Sequence, residues 1–248
     1  MTVDSEKDLL GLKWIGRVVA LALLEMKKKV RPGVTTAELD GIGGEFLRKH
    51  GARPAPGLVY NFPGVTCISL NDEAAHGIPG ERQIRPGDLV NIDISAECDG
   101  YFADTATMVA VSPVSENQRK LCRCTQSALE KAIASVRAGL PINVIGMAVE
   151  NEARRCGFSI IRDLGGHGVG RSIHEEPKFV FNYYNPFDTR PLTYGLVITI
   201  EPFLSTGASH IVTAEDGWTL KTDDGSLSAQ YEHTVIVTDD HPIVLTAL

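Results

Sequence analysis

Three short patterns occur twice in this chain at a nearly constant spacing, and that repetition limits the folds open to it. Arg31-Pro-Gly-Val34 returns as Arg137-Ala-Gly-Leu140, and Lys49-His-Gly51 returns as Arg155-Cys-Gly157, both 106 residues later. Val90-Asn-Ile-Asp93 returns as Ile198-Thr-Ile-Glu201, 108 residues later. A pattern repeated at a fixed offset reads as one structural unit used twice. The expected halves are about 5–112 and 113–248. No linker, low-complexity tract or charge block separates them, so residues 1–248 are expected to form a single domain.

Each half reads as helices followed by strands. The stretch from Asp4 to Lys29 has a helical pattern and ends before Pro32-Gly33. Thr35-x-x-Glu38 is a capping box that opens a second helix toward Lys49. Ala52 to Val65, rich in Pro and Gly, is expected to be loop, and Thr66 to Met108 to be strands. Ser115-x-x-Gln118 caps a helix running toward Val136, and another is expected over Asn143 to Cys156, stopped by Gly157. Strands should dominate from there on.

Hydrophobic residues make up 43% of the 248 and charged residues 22%, enough apolar content for a sizeable core. The formal charge of -7 argues against a dedicated nucleic-acid binder, which carries a basic excess. The apolar run Val18 to Leu24 is too short to span a bilayer. It leads into Glu25 and Lys27-Lys28-Lys29 rather than a cleavage site, so it reads as a buried helix face. The five cysteines fit no zinc-type spacing and read as free thiols in a reducing compartment, with the cytoplasm as the default.

Four acids and one histidine sit in distinctive local frames: Asp93 in NIDIS, Asp104 in YFADTAT, His167 in GGHGVG, Glu201 in TIEPF and Glu232 in QYEHT. Val90, Ile92 and Ile94 alternate with Asn91, Asp93 and Ser95, as in a half-buried strand. A hairpin should join it to a strand from Tyr101 to Val111 through the Asp99-Gly100 region. A two-residue loop at Cys98-Asp99 would set Asp93 and Asp104 directly opposite. A loop at Asp99-Gly100 would make them diagonal neighbours on the same face, and an unbulged three-residue loop would put them on opposite faces. At an effective dielectric of ~20, two carboxylates ~4 Å apart repel by roughly 4 kcal/mol. Such a pair needs a cation or solvent.

Glu201 ends one strongly apolar strand, and Glu232 lies in another, read as Ala229 to Val237. Lone glutamates in buried strands are costly unless paired or bound to metal. His167 lies among glycines that let backbones approach closely. The loop lacks the Lys-Ser/Thr of a phosphate-binding loop. His76 and His174 each precede a proline by three residues. No GxSxG elbow and no HExxH helix is present.

These motifs together resemble the type I methionine aminopeptidases. The similarity runs nearly the whole length, through Cys67-Ile-Ser-Leu-Asn-Asp, His76-Gly-Ile-Pro, Asn91-Ile-Asp93, Asp104-Thr, Gly166-His167-Gly-Val-Gly, His174-Glu-Glu-Pro, Ile200-Glu201-Pro and Gln230-Tyr-Glu232-His. The resemblance implies the pita-bread α/β (α+β) fold, with two pseudo-symmetric halves and an antiparallel sheet covered by helices. It implies removal of the initiator methionine from nascent proteins by a hydroxide bridging two divalent ions. Asp104 and Glu232 would bridge both ions, Asp93 would complete one shell, and His167 with Glu201 the other. Co, Mn, Fe and Zn all suit such a donor set.

The resemblance also implies that Glu201 shuttles the proton, His174 supports the carbonyl oxygen and His76 binds the scissile amide side. Phe62, Cys67 and Trp218 match positions of the methionine pocket, with Tyr60 close by. Val59 and Ile173 stand where many members carry aromatics, and Pro56 also departs from the pattern. The expected partner is the N-terminal methionine of nascent chains, met at the ribosome, with no nucleic acid and no membrane, and the expected state is a monomer. A proline-specific peptidase of the same fold would share the five ligands, but usually adds an N-terminal domain for which this chain has no room. A metal-free binding protein on the scaffold would have lost ligands, and all five are present.

Overall fold

A computed structural model describes all 248 residues. Five helices are α1 (Glu6–Lys29), α2 (Thr36–Lys49), α3 (Ala55–Tyr60), α4 (Glu116–Ser135) and α5 (Asn143–Cys156). The strands of the first half are β1 (Arg53–Pro54), β2 (Cys67–Leu70), β3 (Glu73–Ala75), β4 (Leu89–Cys98) and β5 (Tyr101–Ala110). The second half carries β6 (Ser159–Ile160), β7 (Gly166–Gly168), β8 (Glu175–Val180), β9 (Val197–Ile200), β10 (Phe203–Ser205), β11 (Ile211–Thr213), β12 (Leu220–Thr222), β13 (Ser228–Gln230), β14 (Glu232–Ile236) and β15 (Ile243–Val244).

The helices start where their caps dictate. Ser5 Oγ accepts from the Asp8 amide at the head of α1, and Lys27, Lys28 and Lys29 offset the dipole at its tail. Both expected capping boxes form, Thr35 with Glu38 and Ser115 with Gln118. The apolar run of α1 is buried through Val18, Val19, Ala22 and Leu23, and no helix is long and apolar enough to cross a membrane.

One nine-stranded sheet organises the molecule, in the order β1-β4-β5-β14-β9-β7-β8, with β2 added to β4 and β15 to β14. All its pairings are antiparallel. Helix α1 lies over β4 and β5 beside α2, burying Val90, Ile92 and Ile94 in one apolar core. Helices α4 and α5 pack on each other and cover Ile198 and Ile200 in a second. Alternation along β4 turns Asn91, Asp93 and Ser95 to the face opposite α1. This is the mixed α/β architecture, an antiparallel sheet under helices, that the motifs led us to expect.

Two expectations need correction. Ala52 to Val65 is not all loop: β1 and α3 lie within it, because Pro56 falls in the first turn of α3, where its missing N–H costs nothing. The segment Ala229 to Val237 is not one strand. It divides at Tyr231 into β13, which pairs with β10 in a small sheet, and β14, which enters the large sheet between β5 and β9.

Candidate active site

The hairpin turn decides the placement of the first two acids. Cys98 pairs with Tyr101, and Asp99 and Gly100 both have positive φ, at 52° and 79°. This is a two-residue turn of the primed kind that fits strand twist. Ser95 therefore pairs with Asp104 and Asp93 with Ala106, so the two acids are diagonal neighbours on one face. On its other side Ala106 pairs with Glu232. Next to that pair, His233 faces Ile200, and the same register carried one residue further brings Glu201, just past the end of β9, opposite Glu232. Asp93, Ala106, Glu232 and Glu201 thus form a row across four strands. The small side chain of Ala106 leaves the middle of the row open.

His167 joins from β7. Its backbone N–H donates to Thr199 Oγ1 at 3.0 Å, and Nε2 lies 3.6 Å from Glu201 and 4.0 Å from Asp104. Strand β7 must come very close to its neighbours for this. A Cβ on Gly166 would stand 2.3 Å from the Thr199 carbonyl oxygen, and one on Gly168 2.2 Å from that of Glu176. Hence glycines flank the histidine. His167 Nδ1 lies 3.0 Å from the Gly168 carbonyl oxygen, which can only accept. The ring proton is then on Nδ1, and Nε2 offers a bare lone pair to the acids, the state of a metal-binding imidazole.

The electrostatics of this cluster call for cations. Donor atoms of Asp104, His167 and Glu232 lie within 4.8 Å of one another. Asp104 Oδ1 and both carboxyl oxygens of Glu232 are buried without any hydrogen-bond partner. Burial, and after it the neighbouring carboxylates, hold Asp104 and Glu232 well above the usual carboxylate range. Glu201 is raised by the same causes. Asp93 keeps some accessible surface toward the cavity, yet burial still pushes it up to about 6. Burial first, then the proximity of His174, lowers His167 to about 3, so it is neutral. Four acids and a bare imidazole nitrogen, three carboxyl oxygens of which have no other partner, fit divalent cations.

Without such ions, the folded state keeps a proton on Asp93 at pH values where the unfolded chain, with its ordinary value of 3.8, has lost it. That contribution is fully present below the ordinary value and lost as pH rises through about 6. Metal-free wild type should therefore lose thermal stability relative to metal-free Asp93→Asn between about pH 4 and pH 7. Melting curves on chelator-treated protein check this, and a gap that stays constant with pH would contradict it.

Above the row opens a cavity of about 360 Å³. Its lining includes Asp93, Asp104, His167 and Glu201, while Glu232 lies beneath. His76 and His174 border it, with rings open to the cavity. Burial by the walls lowers both, His174 to about 4. His76 has a left-handed backbone, φ 56°, next to Gly77. Phe62, Cys67, Trp218 and Tyr60 are in the lining as well. Phe62 meets the Trp218 ring edge-on, centroids 5.3 Å apart, and Cys67 pairs with Asp93 through β2. Pro56 and Ile173, two of the departures, also line the cavity, whereas Val59 is turned outward and exposed. All five cysteines are free and buried.

Three further residues act on the acids. Thr199 Oγ1 donates to one carboxyl oxygen of Glu201 at 2.9 Å and Gln230 Nε2 to the other at 3.2 Å. Asn91 Nδ2 in turn donates to Gln230 Oε1 at 2.6 Å. Asn91, Thr199 and Gln230 each stand two positions before an acid, and that period-2 spacing was the available signal.

Comparisons with known proteins give the family of the chain. The pattern of metallopeptidase family M24 matches residues 11–239. Methionine aminopeptidase 2 of Bacillus subtilis (strain 168) is 52% identical over 249 residues, covering 100% of both chains. The crystal structure of methionine aminopeptidase from Rickettsia prowazekii, 36% identical, superposes over 100% of both chains with a TM-score of 0.94. A prolidase from Pyrococcus furiosus shares the fold at 21% identity and a TM-score of 0.79, with this chain covering 66% of it. The chain belongs to metallopeptidase family M24 and, within it, to the methionine aminopeptidases.

Proposed function

We propose that this chain removes the N-terminal methionine of nascent polypeptides in the cytoplasm, with two divalent cations held by Asp93, Asp104, His167, Glu201 and Glu232. The observation that carries the reading is the fully buried Glu232 carboxylate with neither oxygen bonded, in line with the other acids and directly below an aromatic-walled cavity. Asp104 and Glu232 lie at the centre of the cluster, with donor atoms within 4.8 Å of that of His167, and would hold the ions together with the other three side chains. Asp93 and Asp104 come from the first half of the chain and the other three ligands from the second, consistent with residues 1–248 acting as one catalytic domain. When bound, the ions polarise a carbonyl and lower the pKa of water toward neutrality.

The chain's own groups do the rest. Thr199 and Gln230 fix both oxygens of Glu201, which takes a proton from the attacking water and passes it to the leaving amine nitrogen. His174, neutral at neutral pH, donates a hydrogen bond to the carbonyl oxygen as charge develops there. His76, on the rim of the same cavity, binds the scissile amide side. Phe62, Trp218 and Cys67, with Tyr60 at the mouth, form the slot for an unbranched thioether, which favours contact with aromatic rings.

The test is a peptide panel on protein loaded with single divalent ions. Met-Ala-Ser should release methionine, and an Xaa-Pro peptide should stay intact. Preferential Xaa-Pro cleavage would assign the chain to the proline-specific chemistry instead. Trp218→Ala should lower kcat/KM for the methionyl peptide by roughly tenfold, the worth of one lost apolar wall. An unaltered preference for the first residue would place the slot elsewhere.

A further inference from the structure

We propose that Tyr60 is a positioning residue for His174: its phenolic O–H donates to Nδ1 and holds the imidazole in the tautomer that carries its proton on Nε2. This rests on the reading of His174 as the donor to the substrate carbonyl. The two groups are 2.6 Å apart across 114 positions of sequence, so the bond ties α3 to the loop entering β8. It is the one hydrogen bond that either side chain makes within the protein. The rings meet edge-on, centroids 5.6 Å apart.

A neutral imidazole has one N–H and one bare nitrogen, and the partner of one fixes the role of the other. Were Nδ1 to carry the proton, the Tyr60 oxygen would accept it, and Nε2 would face the substrate with a lone pair. That state repels a carbonyl oxygen instead of supporting it. With Tyr60 as donor, Nε2–H is the only remaining polar group of the ring. Burial raises the Tyr60 phenol above its ordinary value, so the hydroxyl keeps its proton over the working range.

The backbone around Tyr60 is built to aim it. Tyr60 is the last residue of α3, and Asn61 closes the helix in the left-handed conformation, φ 58°. Pro56 fixes the first turn of the same short helix. Leu58, Val59 and Tyr60 are all exposed, so α3 is held at its start, where Ala55 is buried, and at its end by the Tyr60–His174 hydrogen bond.

The experiment has two arms. Long-range 15N–1H spectra of the full chain, metal-free and reloaded with diamagnetic zinc, report which ring nitrogen of His174 is bare; the His174→Ala spectrum identifies the signals. A bare Nδ1 that becomes a mixture of tautomers in Tyr60→Phe is expected, and a protonated Nδ1 in the unmutated protein overturns the proposal. In the second arm, Tyr60→Phe should lower kcat roughly three- to tenfold, the worth of one hydrogen bond, with KM little changed. The double variant Tyr60→Phe/His174→Ala should be no slower than His174→Ala alone. A kcat unchanged by Tyr60→Phe while His174→Ala is slow, or a double variant slower by the full product of the two effects, overturns it. If His174→Ala itself keeps its kcat, the donor role of His174 falls, and the spectra still decide separately whether Tyr60 sets the tautomer.

Discussion

Asp104→Asn should abolish peptide hydrolysis, with kcat/KM down by roughly 10³-fold or more, because loss of even an outer-shell partner of a metal typically costs 10–100-fold. Asp104 is the acid within reach of both His167 and Glu232, and its Oδ1 has no protein partner. The amide is the same size but removes a negative charge at the centre of the cluster. It also offers an N–H where only acceptors are useful. Folding should survive: burial and neighbouring acids already hold this carboxyl toward its neutral form when no cation is present. In chelator near pH 7 the variant should melt at or above wild type, whereas in saturating divalent ion wild type should gain more. Turnover retained at normal metal content would contradict the assignment of Asp104 to the metal site. The measurements are steady-state kinetics, metal analysis and melting curves on the same preparations.

His174→Ala should lower kcat roughly 10²-fold or more, the usual cost of losing a donor to a developing oxyanion. Metal content should be unchanged, since His174 is not in the row of acids. Its ring lies 4.0 Å, centroid to centroid, from that of His167 but belongs to the cavity wall. KM should move little, because the donor acts more strongly on the transition state than on the bound substrate. Burial and the charge of nearby groups lower its pKa to about 4, so the donor is an uncharged N–H through the neutral range. Its contribution should accordingly show no inflection near the ordinary histidine value of 6.5. An unchanged kcat would remove His174 from the mechanism.

Much of this site is legible in the sequence, because strands translate sequence parity into sides of a sheet. The Asp-Gly signal pointed to a hairpin in which either two-residue loop sets Asp93 and Asp104 on one face and a three-residue loop separates them. Three registers remained open there, and the positive φ of both Asp99 and Gly100 selects the diagonal one. Glycines around His167 pointed to close backbone approach, which the Thr199 and Glu176 carbonyls now account for. What parity could not give was which strand lies beside which. Glu232 enters between β5 and β9 only because the chain leaves one sheet and joins another at Tyr231. The residue pattern from Ala229 to Val237 carries no trace of that change. Helix α3 was hidden for a different reason: proline and glycine mark loops on average, yet a proline in a first helical turn is harmless. Tyr60, the end of that helix, was legible as an aromatic near the pocket, but its bond to His174 depends on tertiary placement.

Calorimetric titration of Mn or Co into the chelator-treated, fully folded chain bears most directly on whether these five side chains bind dications. Two ions per chain should bind in the unmutated protein, and uptake should be lost or sharply weakened in Asp104→Asn and Glu232→Gln. A folded chain that takes up no divalent ion, or one that binds equally well without these two carboxylates, would contradict the account.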